Sequence, residues 1–246
     1  MKIAYCSDLH VDFNKDPDLR LPKDDEYDVM LVCGDVANHP KESVRYINKL
    51  QSQLNKELIF VPGNHDRWSK GVLTFSETEN ILKTTQCFQN RTVKVIGEQR
   101  FLCCTLWYKL IISNGREWSD LNHINDWKTV QTEHDLDQKF LQENMQKGDI
   151  VVTHMLPSFE TISYKYIGSP DNRFYMTEMK QLIEERKPLA WFHGHSHEFL
   201  FRKIEDTFFL RNPRGYYSHF EMNNETRLFN GICIFDTEDG SVLSLG

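Results

Sequence analysis

The chain predicts a mainly α/β fold, and three observations carry that expectation. Short apolar runs alternate with amphipathic, charge-bearing stretches along most of its length, the pattern of strands joined by helices. Several of these runs end in a cluster of carboxylate, amide or imidazole side chains. Sites in open α/β sheets gather at the ends of strands in this way. Strand-like runs also dominate the C-terminal part, so we expect packed sheets with helices outside.

The chain's 246 residues suffice for one large domain with a sizeable core, and we treat 1–246 as a single domain. Hydrophobic content of 39% and charged content of 26% describe an ordinary globular protein. The net charge of -7 lacks the basic footprint that long nucleic acid requires. Six cysteines form no CxxC pair and sit mostly in apolar runs, as reduced core thiols of a cytosolic protein do. The N-terminal Met1-Lys2-Ile3-Ala4-Tyr5-Cys6 is too short and too soon polar for a signal peptide. No apolar run reaches the ~18 residues of a membrane span. A cytoplasmic location without membrane contact is therefore expected.

The first run, Lys2 to Cys6, leads into Ser7-Asp8-Leu9-His10. Asp8 and His10 are two apart, so extended backbone would aim both at one face, where they could share a cation or merely form a surface hydrogen bond. Tyr27 to Cys33 is the second strand; Gly34-Asp35 terminates it, and an amphipathic helix is expected over Glu42 to Leu54. Leu58 to Val61 is the third, broken by Pro62-Gly63 into a tight turn that presents Asn64, His65 and Asp66 consecutively. A polar helix is expected within 67–90, then strands over Thr92 to Ile96 and Arg100 to Leu106, and a turn at Asn114-Gly115. Thr132 to Gln146 reads as a helix. Asp149 to Thr153 is a strand delivering His154, followed by Pro157, which cannot continue a ladder. Residues 158–176 form a loop suited to a rim or lid, and Thr177 to Arg186 a helix. Leu189 to Phe192 runs into His193-Gly194-His195-Ser196-His197. Three imidazoles in five residues have little use in a core, and a metal site is the natural reading. Phe199 to Phe201, Thr207 to Leu210 and Ile232 to Phe235 complete the strands, with a hairpin turn at Asp239-Gly240.

Taken in order, Asp8-x-His10, Gly34-Asp35, Gly63-Asn64-His65-Asp66, His154 and Gly194-His195-Ser196-His197 resemble the five signature blocks of the calcineurin-like metallophosphoesterase superfamily. Thr105-Leu106-Trp107, Asn125-Asp126 and Asn212-Pro213-Arg214-Gly215-Tyr216 look like features of a cytosolic bacterial and phage branch, which extends the resemblance over nearly the whole chain. It implies a four-layer α/β/β/α sandwich of two mixed β-sheets. It implies that Asp8, His10 and His197 hold one divalent ion, that Asn64, His154 and His195 hold a second, and that Asp35 bridges them. These O and N donors suit Mn first, with Fe, Zn or Ni as alternatives. It further implies that a hydroxide shared by the ions attacks phosphorus and that His65 protonates the leaving oxygen. Asp66 would orient the His65 ring and favour imidazolium, or else cap the residues that follow.

His193 is an extra imidazole, read as a neighbour of the ligands or a core histidine. Asn38 stands where some relatives carry an acidic residue or arginine, and Asp12 is read as a surface group. Asp35-Val36-Ala37-Asn38-His39-Pro40 lacks the arginine usual in the family's protein phosphatases, which favours a small phosphodiester or nucleotide substrate. Trp107, Tyr108, Trp127, Tyr164 or Tyr166 could stack on a base, with packing the competing role. A phosphomonoesterase is not separable from a diesterase on these motifs. A nuclease would need basic residues at the cleft, with Arg67, Lys165, Arg173, Arg211 and Arg214 as candidates. A catalytically silent metal-binding scaffold is the remaining alternative.

Overall fold

Apolar runs buried on both faces build the centre of the molecule. The computed structural model describes residues 1–14, 18–111, 118–216 and 231–244; the turn expected at Asn114-Gly115 lies outside them. One sheet contains β1 (Lys2–Cys6), β2 (Val29–Cys33), β3 (Glu57–Val61), β10 (Cys233–Asp236) and β11 (Val242–Ser244), in the order β11-β10-β1-β2-β3. The other contains β4 (Thr92–Ile96), β5 (Gln99–Cys103), β6 (Ile150–Val152), β7 (Ala190–Phe192), β8 (Leu200–Ile204) and β9 (Thr207–Arg211), in the order β4-β5-β6-β7-β9-β8. Both are mixed: β1, β2 and β3 run parallel, as do β5, β6, β7 and β9, with antiparallel strands at the edges.

Side-chain alternation sorts each strand between two cores. Ile3, Tyr5, Leu31 and Ile59 face Phe101, Ile150, Phe192 and Leu210 across the gap between the sheets. Ala4, Met30 and Phe60 point outward beneath α1 (Pro40–Ser52) and α2 (Phe75–Leu82). Leu102, Val151 and Trp191 point to the opposite outer face, under α4 (Thr129–Asn144) and α5 (Lys180–Arg186). The layers are thus α/β/β/α.

Element ends differ from expectation where local chemistry intervenes. α1 starts at Pro40, ahead of Glu42, because proline suits the first helical turn and the His39 ring accepts the Lys41 N–H. α5 starts at Lys180, since Thr177 instead donates its N–H to the Leu156 carbonyl. β5 stops at Cys103; Leu106 has φ 62°, which no strand continues. A short helix, α3 (Ser119–His123), was not foreseen, and 158–176 holds three 3-10 turns. No helix among the described residues is long and apolar enough to cross a membrane.

Candidate metal centre

All five histidine- and carboxylate-bearing loops leave the carboxyl ends of parallel strands β1, β2, β3, β6 and β7, so they meet at one end of the sandwich. Backbone bonds stitch the two sheets together there: Ser7 N–H donates to the Asn212 carbonyl at 3.0 Å, and Arg214 N–H to the Ser7 carbonyl at 3.0 Å. The approach is tight. A Cβ on Gly63 would lie 2.1 Å from Asp35 Oδ1, and one on Gly34, at φ +82°, would lie 2.3 Å from His154 Nδ1.

Two groups of donors that could hold a metal ion emerge. Asp8, His10 and His197 bring one donor atom each within 4.8 Å of one another, and so do Asp35, His154 and His195. Asn64 Oδ1 joins the second set, 3.0 Å from His154 Nε2. Asp35 Oδ2 lies 3.2 Å from His154 Nε2 and 4.0 Å from His10 Nε2, within reach of both sets. The pairing of Asp8 with His10 does not come from extended backbone, as their spacing suggested. Asp8, His10, Asp35 and His195 all have positive φ (50°, 40°, 56° and 68°), strain of order 1–3 kcal/mol each that the surrounding packing holds in place.

The donor chemistry fits cations. His10 Nε2 and His197 Nε2 face each other at 3.2 Å, with Asp8 Oδ1 3.5 Å from the latter, so basic atoms converge on one point. His10 Nδ1 is buried without a hydrogen-bond partner. Burial and the neighbouring imidazoles hold His10 and His195 well below the ordinary histidine range, in the neutral form a ligand needs, and lower His65 in the same way. Burial acts the same way on His154, but the Asp35 carboxylate outweighs it and raises that ring to about 9. Burial in turn pushes Asp35 up to about 6.

Asp66 has a different task from the one expected. Its carboxylate accepts from Asp35 N (2.8 Å), Val36 N (2.9 Å), Gly63 N (2.8 Å) and Ser43 Oγ (2.6 Å), and none of its described bonds reaches the His65 ring. It ties the Gly34-Asp35 loop to the Gly63-Asn64 turn, and it caps no following helix. The ring of His65 is held by Asn38, whose Oδ1 lies 2.6 Å from Nδ1, and by Trp68 stacked at 3.6 Å. Tyr216 approaches from the Asn212-to-Tyr216 segment, its hydroxyl 3.3 Å from His65 Nε2 and its ring stacked on His10 at 4.1 Å. Asp12 accepts the Asn38 N–H at 3.3 Å. His193 is buried against the metal loop, its Nε2 unpartnered.

Sequence reasoning missed Asp120 altogether. It sits on the unforeseen α3, fully buried, and accepts four hydrogen bonds: Asn64 Nδ2 (2.9 Å) and Trp68 Nε1 (2.7 Å) on Oδ1, Tyr108 OH (3.0 Å) and Trp118 Nε1 (3.2 Å) on Oδ2. No motif marks it.

Of the expected cleft cations, Arg67 is buried against Glu79 and the Phe75 ring, Arg211 donates to the Glu198 and Thr161 carbonyls, and Lys165 pairs with Glu198. Trp107 and Tyr108 are core residues. All six cysteines are free and buried.

A family model described as calcineurin-like phosphoesterase matches residues 1–199. An uncharacterised protein of Acanthamoeba polyphaga mimivirus is 24% identical over 291 residues, covering 96% of each chain. Among solved structures, the phosphopantetheinyl hydrolase of Mycobacterium tuberculosis superposes with a TM-score of 0.70 at 14% identity, over 90% of this chain and 92% of that one. The TT1561 protein of Thermus thermophilus gives 0.55 at 13% identity, over 98% and 96%. Together with the sandwich and its two ligand sets, the match over residues 1–199 shows that the chain belongs to the calcineurin-like phosphoesterase family of metal-dependent phosphoesterases.

Proposed function

We propose that the protein hydrolyses a small phosphodiester or nucleotide, with one ion held by Asp8, His10 and His197, a second by Asn64, His154 and His195, and Asp35 serving both. The observation that carries this reading is the reach of Asp35 Oδ2 to His154 on one side and His10 on the other. Oxygen and nitrogen donors without thiolate favour Mn, with Fe, Zn or Ni as alternatives. When bound, such ions supply Lewis acidity to phosphate oxygens and an activated water.

The chain's own residues do the rest. Asn38 Oδ1 accepts from His65 Nδ1–H, which leaves Nε2, 3.8 Å from Asp35 Oδ2, as the atom that carries the transferable proton. Burial and the neighbouring imidazoles hold the free ring well below the ordinary histidine range, and a phosphate anion within ~4–6 Å favours the charged form. His65 then delivers the proton to the leaving oxygen, while Tyr216 OH and the Trp68 face hold the ring at the pocket wall.

Beside the centre lies a pocket of about 380 Å³, lined by Trp68, Trp118, Ile162, Tyr166, Tyr175 and Tyr216 among others, including Asp171. No lysine or arginine is among its described lining residues. That volume and those walls suit one aromatic or apolar substituent on a phosphoester.

Hydrolysis of bis(p-nitrophenyl) phosphate with added Mn²⁺ tests the reading. Wild type turns over and loses activity with a chelator, and His65→Ala falls by about 10²–10⁴. Equal rates in the two proteins remove the acid role of His65. Absence of turnover in both, with any metal tried, favours the silent scaffold.

A further inference from the structure

We propose that Asp120 is the positioning residue of the second ligand set, an anionic clamp that turns the Asn64 amide so that its oxygen, and never its NH₂, faces the cation. The proposal rests on the reading of Asn64 as a ligand. A side-chain amide is nearly symmetric in shape, and nothing in Asn64 itself prefers one orientation. An ionised carboxylate can only accept, so Asp120 Oδ1 at 2.9 Å forces Nδ2 toward itself and Oδ1 toward His154, 3.0 Å away. The same contact polarises the amide and makes its oxygen a better donor to a cation.

Asp120 is itself over-determined. Each carboxylate oxygen receives two donors, and none of its described partners is charged. A buried anion with four neutral donors and no ion pair among the described residues is an expensive device for packing alone. Removing only the demands of Asn64 would leave three donors that a neutral acceptor could serve. Two of those three, the Trp68 and Trp118 indoles, line the substrate pocket. The carboxylate therefore links the amide ligand to the wall beside it.

The test titrates Mn²⁺ alone into metal-free wild type, Asp120→Ala, Asp120→Asn, Asn64→Ala and the Asn64→Ala/Asp120→Ala double variant. Wild type binds two ions. In Asp120→Ala the second dissociation constant rises about 10–100-fold while the first stays within about twofold. Asp120→Asn recovers only part of that loss: its oxygen can keep facing Asn64 and the Tyr108 hydroxyl can turn to accept from the new NH₂, but the Trp118 indole N–H, a donor only, then meets that NH₂ unpaired. In the Asn64→Ala background the Asp120 change adds nothing further, since its effect runs through the amide. Unchanged second-site affinity in Asp120→Ala, or a full additional loss in the double variant, overturns the proposal while leaving the dinuclear reading intact. Failure of wild type to bind a second ion overturns both. Should Asp120→Ala not fold, ¹⁵N-asparagine-labelled wild type decides. The Asn64 NH₂ pair, assigned as the resonances lost in Asn64→Ala, should be downfield and slow to exchange; a fast-exchanging pair at ordinary shifts overturns the clamp.

Discussion

Asp8 brings a carboxylate of its own to the first proposed ligand set, whereas the second has only the Asp35 oxygen proposed to serve both and the neutral amide of Asn64. The contacts that hold the rings run the other way, although Asp8 itself accepts from Ser7 Oγ and the His195 N–H. In the first set the His10 Nδ1 has no hydrogen-bond partner, and the His197 side chain keeps 20% exposure. In the second, His154 Nδ1 donates to the Cys33 carbonyl at 2.8 Å, Asn64 is gripped by Asp120, and His195 Nε2 lies 3.3 Å from the Phe174 carbonyl. Charge attracts a cation from any nearby direction, so a charged set tolerates looser rings. A nearly neutral set must gain its affinity from orientation.

The largest effect that can break this contrast is at the residue both sets share. Asp35→Asn should lose at least one ion from each chain and about a thousandfold or more in phosphodiester turnover, the several kcal/mol of charge stabilisation an ion supplies. Metal analysis beside the assay checks it; two retained ions would make the bridging role untenable. Next, Asp8→Asn should weaken the first ion by far more than Asp120→Ala weakens the second, because it removes charge and not merely orientation. Competition against a fluorescent chelator ranks the two.

Proton competition sharpens the asymmetry. His154 is raised to about 9 in the metal-free protein, so its bound proton stabilises that form fully below the ordinary value of 6.5, and the contribution is lost as pH rises through about 9. A cation on the second set must displace that proton. Affinity there should therefore climb by up to about tenfold per pH unit from pH 7 and flatten near 9. His10 sits well below its ordinary range and imposes no such cost on the first set. Titrations at several pH values would show one steep and one flatter dependence; parallel curves would refute it. The smallest effect belongs to Asn38→Ala. It frees the His65 ring while both ligand sets stay whole, so turnover should drop about tenfold with metal content unchanged.

What was legible in the sequence shares one physical origin. Strands buried on both faces must be apolar throughout, so β1, β2, β3 and β7 stand out as runs, and the ligands follow them directly. Glycines at 34 and 63 are demanded by approaches too close for any Cβ, so they flag the same loops. What stayed hidden arrives through contacts far apart in the chain. Asp120 reaches Asn64 across 56 positions from a five-residue helix, and Tyr216 reaches His65 across 151. Adjacency misled in one case: Asp66 follows His65, yet its carboxylate turns back to the Gly34-Asp35 backbone, and Asn38 takes the ring. Parity misled in another, because Asp8 and His10 share a site through left-handed backbone and not through a strand's alternation.

Diffraction from crystals grown with Mn²⁺, collected at the manganese edge, tests the central claim most directly. The account predicts two anomalous peaks about 3.5–4 Å apart. Asp35 Oδ2 should lie between them, one peak against Asp8, His10 and His197 and the other against Asn64, His154 and His195. A single peak, or two that leave Asp35 outside their coordination, would contradict it.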